Sequence, residues 1–215
     1  MAVTAHQLHS AGLDIEAGVL DDFQQRFTGR LVARGDAEYD DLRGVWNAMI
    51  DKRPILIAVP DTAEDVAAAV VFAQQQGLEL GTRGGGHNVA GHAIPEGGLL
   101  INLTNMRDVT VDPERRIARA QGGATWADFD LATQAHGLAT TGGVVSTTGV
   151  AGLTLGGGIG WLVARHGMTI DNLLAVELVA ANGEMLNVSP HEHADLFWAV
   201  RGGGGNFGVV TAFEF

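Results

Sequence analysis

Six consecutive residues, Arg83-Gly84-Gly85-Gly86-His87-Asn88, put a guanidinium, an imidazole and an amide around three positions that carry no Cβ. Glycine tolerates positive φ, so such a loop can turn its backbone N–H groups toward a ligand at close range. Successive inward N–H groups make a concavity suited to phosphate oxygens. Arg83 adds a fork of donors to it, and His87 adds a nucleophile at the rim. This is the pattern expected for a phosphorylated cofactor touched by one reactive side chain. A plain glycine turn carrying a solvent-facing histidine fits the same six residues.

The elements around the loop have to position it. Apolar Ile55–Val59 reads as a strand, and Pro60-Asp61-Thr62 opens a helix with Glu64 and Asp65 in its first turn and Gly77 at its end. Leu78–Thr82 then forms a second strand, so a βαβ unit delivers the glycine loop. Upstream, Ile15, Val19, Leu20, Phe23 and Phe27 lie at helical spacing, and residues 28–54 read as irregular and charged, anchored by Tyr39 and Trp46. Downstream, Gly98–Leu103, Val109–Val111, Ile117–Ala120, Leu174–Ala180, Glu184–Val188 and Val209–Phe215 read as strands. Asn182-Gly183 marks a hairpin between two of them. Helices are expected from Thr125 to about His136, near Trp161–His166, and from Pro190 to Val200, with Trp126, Trp161 and Trp198 as core anchors. The predicted fold class is α+β: an N-terminal helix and irregular arm (1–45), a small parallel βαβ lobe (46–112), and a mostly antiparallel sheet flanked by helices (113–215).

Other nucleotide and catalytic patterns fail on inspection. Gly203–Gly208 fits G-x-G-x-x-G, but a helix precedes it and a strand follows, the reverse of a dinucleotide fingerprint. Lys52 is the only lysine, so there is no P-loop. His191 and His193, two apart on a helix, do not share a face, and no metal site is expected. No G-x-S-x-G elbow and no paired carboxylates stand out.

Composition narrows the partners. Glycine makes up 31 of 215 residues, about twice the usual share, in clusters at 84–86, 97–98, 142–143, 156–160 and 202–205. Such clusters suggest several loops closing on one ligand. A formal net charge of −12 with scattered basic residues argues against nucleic acid or an anionic membrane as partner. The absence of cysteine excludes disulfides, thiolate zinc sites and iron–sulfur clusters. The apolar run Val66–Ala73 is far shorter than the roughly 20 residues a bilayer requires. The first residues show no basic segment followed by an apolar core, so a cytoplasmic protein is expected.

Three motifs then stand in order: residues 83–88, Thr141 through Trp161 (TGGVVSTTGVAGLTLGGGIGW), and Asp195 through Val210 (DLFWAVRGGGGNFGVV). Together they resemble the FAD-binding domain of the p-cresol methylhydroxylase and vanillyl-alcohol oxidase superfamily, over roughly residues 40–215. The nearest branch is that of the berberine-bridge-enzyme-like and 6-hydroxynicotine-oxidase-like oxidases. The resemblance implies that Arg83, Gly84, Gly85, Gly86, His87 and Asn88 wrap the FAD pyrophosphate. It further implies that His87 bonds covalently to the flavin 8α-methyl carbon. Thr147, Thr148, Gly152, Gly156, Gly157, Gly158 and Gly160 would form a second wall, and the backbone of Val210 would meet an edge of the cofactor. A neutral imidazole can add to an electrophilic carbon and a protonated one cannot. Fixed amide dipoles would stabilise charge developing on a reduced flavin.

Two departures follow. Val145 stands where many relatives carry a cysteine that makes a second flavin bond, so a single link is expected. The family's complete enzymes are about twice as long, and the domain that forms their substrate wall has no counterpart in this sequence. Another chain would supply it, or the sequence is a cofactor-binding module of a larger enzyme. The expected activity is an FAD-linked oxidoreductase of oxidase type. A substrate C–H next to oxygen or nitrogen would give hydride to the flavin, and dioxygen would reoxidise it. A flavin-binding module without turnover is the alternative, and non-covalent FAD reductases of cell-wall synthesis are a third reading under which His87 would be surplus.

Overall fold

The computed structural model describes residues 2–215; Met1, where the N-terminal reading begins, lies outside them. The chain opens with α1 (Ala5–Ser10), α2 (Ala17–Arg26), β1 (Arg30–Ala33) and α3 (Tyr39–Arg43). Next come β2 (Leu56–Val59), α4 (Ala63–Gln75), β3 (Leu80–Arg83) and β4 (Leu99–Asn102). The second half contains β5 (Val109–Asp112), β6 (Ile117–Gln121), α5 (Trp126–Gln134), α6 (Val150–Leu155) and α7 (Val163–His166). It finishes with β7 (Ala175–Val179), β8 (Met185–Val188), α8 (Ala194–Gly203) and β9 (Val209–Glu214).

Two sheets result, one mostly parallel and one antiparallel. The first has the order β1-β2-β4-β3, with β2 and β3 each parallel to β4 and β1 antiparallel at the edge. The βαβ unit is present, yet β4 lies between its two strands. Every residue of β2 and β4 is buried, as in sheets covered on both faces. On one face Val66, Ala69, Val70 and Phe72 of α4 pack over Leu56, Leu99 and Ile101. On the other, Tyr39 and Ile94 cover Ile57, Val59 and Leu100. The second sheet, β5-β6-β9-β7-β8, is antiparallel throughout. Its core gathers Trp126 and Phe129 of α5, Val150 of α6, Phe197 and Val200 of α8, and Phe213 of β9. Val179 and Val209 from this sheet join the cluster around α4, so that helix ties the two sheets together.

Several details differ from the sequence reading. Residues 28–54 are not uniformly irregular: Arg30–Ala33 pairs in register with Leu56–Val59, and Tyr39–Arg43 is helical. The parallel sheet therefore starts upstream of residue 46. Tyr39 is an anchor, buried with its hydroxyl donating to the Pro54 carbonyl at 2.7 Å. Trp46 is not, being 67% exposed, and Trp161 and Trp198 are also exposed, which leaves Trp126 as the core tryptophan. The short α6 was not anticipated within the glycine-rich segment.

Asp65 shows how one residue fixes the entry to α4. It is 1% exposed and accepts from the N–H groups of Thr28, Gly29, Asp61 and Thr62 and from the Thr28 hydroxyl. Thr62 returns a side-chain cap to the Asp65 N–H, completing a capping box. One carboxylate thus joins α2, the start of β1 and the first turn of α4. Asp65→Ala strands these donors and should cost about 3 kcal/mol, the weight of lost bonds to a charged acceptor. A denaturant midpoint within error of the parent would contradict this.

Candidate functional site

The glycine loop leaves the carboxyl end of β3, the end of parallel strands at which ligands collect in open α/β sheets. Its wall partner is the 146–150 segment. The Trp126 and Ala127 N–H groups hold this segment by donating to the Thr148 and Ser146 carbonyls, and the Val150 N–H donates to the Ala124 carbonyl. The two stretches touch backbone to backbone: a Cβ on Gly85 would lie 2.2 Å from the Gly149 nitrogen. Gly86 has φ +70°, the left-handed conformation that the loop was expected to need.

Between the sheets lies a cavity of about 780 Å³, within the range of cofactor sites. Nearly half of its lining residues are glycines, contributed by β3 and the 84–86 loop, by 149–156, and by 202–208. Among the described residues its only titratable side chains are His87 and His92 and no Asp or Glu lines it, although the chain carries a charge of −12. The N–H groups of Gly85, Gly86, His87 and Asn88 donate to no acceptor among the described residues. Unpaired donors and an acid-free wall suit an anionic ligand.

His87 sits half-buried at the rim. Its Nε2 is 3.0 Å from the Thr147 hydroxyl and its Nδ1 is 3.4 Å from the Thr148 hydroxyl. Trp46 stacks on the ring with centroids 5.6 Å apart and planes 20° from parallel, and the Trp46 backbone N–H donates to the Gly86 carbonyl at 3.0 Å. Arg83 is not part of the cavity lining; its guanidinium lies 3.4 Å from the Asn102 side-chain oxygen, with its buried Nε unpartnered. Burial pushes this guanidinium below its ordinary pKa.

Among the residues expected at the site, Gly84, Gly85, Gly86, His87, Asn88, Thr148, Gly152, Gly156 and Val210 line the cavity. Arg83 lies behind the loop, and Thr147 meets it through His87. Gly157, Gly158 and Gly160 lie outside the lining: the first two pack on Met168 and Thr169, and Gly160 abuts the Gly142 carbonyl. The Asn88 side chain accepts from the His92 N–H, a turn bond. Not every glycine cluster converges on the cavity. Gly98 lies against the Glu79 carbonyl and Gly142 against the Trp126 ring, close approaches that serve packing.

The sequence reading also omitted wall residues. Gly202–Asn206 and Gly208 line the cavity where α8 breaks at Arg201 and Gly202 and the chain turns into β9. The sequence reading takes them as a glycine cluster and as part of the third motif, but assigns only Val210 of that motif to the cofactor. Trp46 carried no signal, because its partner ring lies 41 residues further along the sequence.

A glycine-rich, acid-free cavity between a parallel and an antiparallel sheet, with two imidazoles in its lining, is of the kind that holds a dinucleotide cofactor. A family model described as FAD binding domain matches residues 54–189. The (R)-6-hydroxynicotine oxidase of Paenarthrobacter nicotinovorans is 39% identical over 186 residues, covering 86% of this chain and 41% of the oxidase. The BBE-like 1 structure of Physcomitrella patens superposes with a TM-score of 0.87 at 29% identity, over 92% of this chain and 43% of that one. The glucooligosaccharide oxidase of Acremonium strictum, described as carrying a 6-S-cysteinyl, 8α-N1-histidyl FAD, superposes with a TM-score of 0.86 at 34% identity, over 92% and 42%. This chain belongs to the FAD-binding domain family of FAD-linked oxidoreductases, alongside the BBE-like oxidases and 6-hydroxynicotine oxidase. It spans about two fifths of the length of these relatives.

Proposed function

We propose that this domain carries FAD through a single bond to His87 and serves an oxidase that acts on a C–H next to oxygen or nitrogen. The observation that carries this reading is the His87 ring, held by Thr147 and Trp46, in the lining of a cavity nearly half of whose wall residues are glycines. FAD, once bound, supplies a ring that takes up hydride and returns electrons to dioxygen. The unpaired N–H groups of residues 85–88 would hold the diphosphate, and the 149–156 and 202–208 walls would exclude water from it. The histidyl-linked FAD of the glucooligosaccharide oxidase relative supports the link. This chain has no cysteine and so can make no cysteinyl bond.

The test is the intact mass of denatured protein after aerobic incubation with FAD. One added FAD supports the link; an unmodified chain that has nonetheless bound FAD rejects it. The second reading is FAD binding without turnover. Anaerobic bleaching by alcohol, sugar or amine substrates separates the two.

Arg83 gives a distinct prediction. Its guanidinium, pushed below its ordinary pKa by burial, has no acidic partner among the described residues, so charge there opposes folding of the domain. Arg83→Met should raise the melting temperature of the free protein. A mutant less stable when free would contradict the assignment.

A further inference from the structure

Two residues outside the expected attachment chemistry hold the imidazole in place. Thr147 is outside the cavity lining and meets Nε2 at 3.0 Å, while Thr148 lines the cavity and lies 3.4 Å from Nδ1. Nδ1 is therefore the nitrogen on the cavity side and the more loosely engaged one. Two arrangements satisfy both contacts, because each hydroxyl can donate or accept; the one that leaves Nδ1 bare has Nε2–H donating to Thr147 at the shorter distance and the Thr148 hydroxyl approaching Nδ1. Trp46 covers one face of the ring. The strand of chain bearing Trp46 is itself pinned to the loop, since Asn47 Nδ2 donates to the Val89 carbonyl and Lys52 Nζ to the Gly91 carbonyl.

We infer that Thr147 and Trp46 are positioning residues that present His87 as its Nε2–H tautomer, with the Nδ1 lone pair directed into the cavity. The inference rests on the proposed attachment for its purpose. In that step one N–C bond forms at Nδ1, while one methyl C–H bond of the flavin and the Nε2–H bond break. The two electrons and two protons pass to the ring and then to dioxygen, which leaves as hydrogen peroxide. As Nδ1 bonds, the imidazole becomes cationic until Nε2 releases its proton. A hydroxyl accepting that N–H and an indole face within about 6 Å both stabilise the positive ring. Thr147 thus favours the tautomer that can react and also the charge the reaction creates.

The first measurement needs no cofactor. In the full chain with labelled histidines, His87 should show a bare Nδ1 and a slowly exchanging Nε2–H proton. Thr147→Val should abolish the slow exchange, and Thr147→Ser should restore it. The second measurement follows FAD attachment by mass at saturating FAD. Thr147→Val should slow it roughly 10- to 100-fold, the weight of one bond to a group becoming charged; Thr147→Ser should recover most of the rate. Trp46→Leu should also slow attachment, and Trp46→Phe less so. A protonated Nδ1, or a slow Nε2–H that survives in Thr147→Val, overturns the inference even when the parent attaches FAD. If the parent attaches none, the covalent reading fails and the nitrogen signals still decide the role of Thr147.

Discussion

His87→Ala is expected to yield protein with no added mass after incubation with FAD, its yellow colour passing entirely into the supernatant on acid precipitation. The same variant should still take up FAD reversibly. The cavity wall comes from three separate segments and nearly half of its residues are glycines, so the imidazole contributes only a small part of it. Losing one such contact costs on the order of 1 kcal/mol, so affinity should fall less than about tenfold while covalent attachment falls to nothing. That split between binding and bonding is the diagnostic. His92 is the other imidazole of the lining, but it is exposed and its backbone N–H is spent on the Asn88 side chain. An adduct persisting in His87→Ala and vanishing in His92→Ala would move the attachment to the neighbouring ring.

The site was more legible in the sequence than the frame around it. Gly84–Gly86 between an arginine and a histidine signals a close backbone approach, a local property, and the structure makes it at Gly149. The start of α5 at Thr125 and the Asn182-Gly183 hairpin were likewise local and appear where expected. β1 was not legible: four residues, with Arg30 exposed, gain strand character only by pairing with β2 some 26 residues away. The insertion of β4 between β2 and β3 is similarly a matter of long-range pairing. α1 could have been found, since Thr4 and Gln7 spell a capping box that the structure makes. α6 was hidden by composition: its glycine-rich surroundings read as loop, and packing of Val150, Ala151 and Leu155 into the core overrides that preference. Tryptophan burial failed for the same reason. Hydrophobicity says that Trp46, Trp161 and Trp198 favour contact, and only the tertiary structure says that an imidazole supplies it for Trp46.

Gly85→Ala is expected to damage both fold and cofactor uptake, because the added carbon has nowhere to go. It would stand 2.2 Å from the Gly149 nitrogen and 2.6 Å from the Gly149 Cα. Those are backbone atoms, and the segment that carries them is bonded on both sides: the Thr148 carbonyl accepts from Trp126 at 3.0 Å, and the Val150 N–H donates to Ala124 at 2.9 Å. Relief therefore requires the loop from β3 to move away from α5 and α6, which opens the seam between two walls of the cavity. Overpacking of this kind costs about 1–3 kcal/mol. FAD uptake should drop by roughly 100-fold or more, since a shift near 1 Å misaligns the N–H groups of residues 85–88 together. Gly152→Ala is the matched control for stability: it lies within α6 with no atom within 4 Å of its new carbon, so the methyl should leave folding unchanged or raise it by up to about 1 kcal/mol. Thermal and denaturant unfolding of the cofactor-free proteins would separate the two, and FAD titration would complete the comparison. If Gly85→Ala unfolds like the parent and still loads FAD, the contact between the two glycine segments does not set the shape of the site.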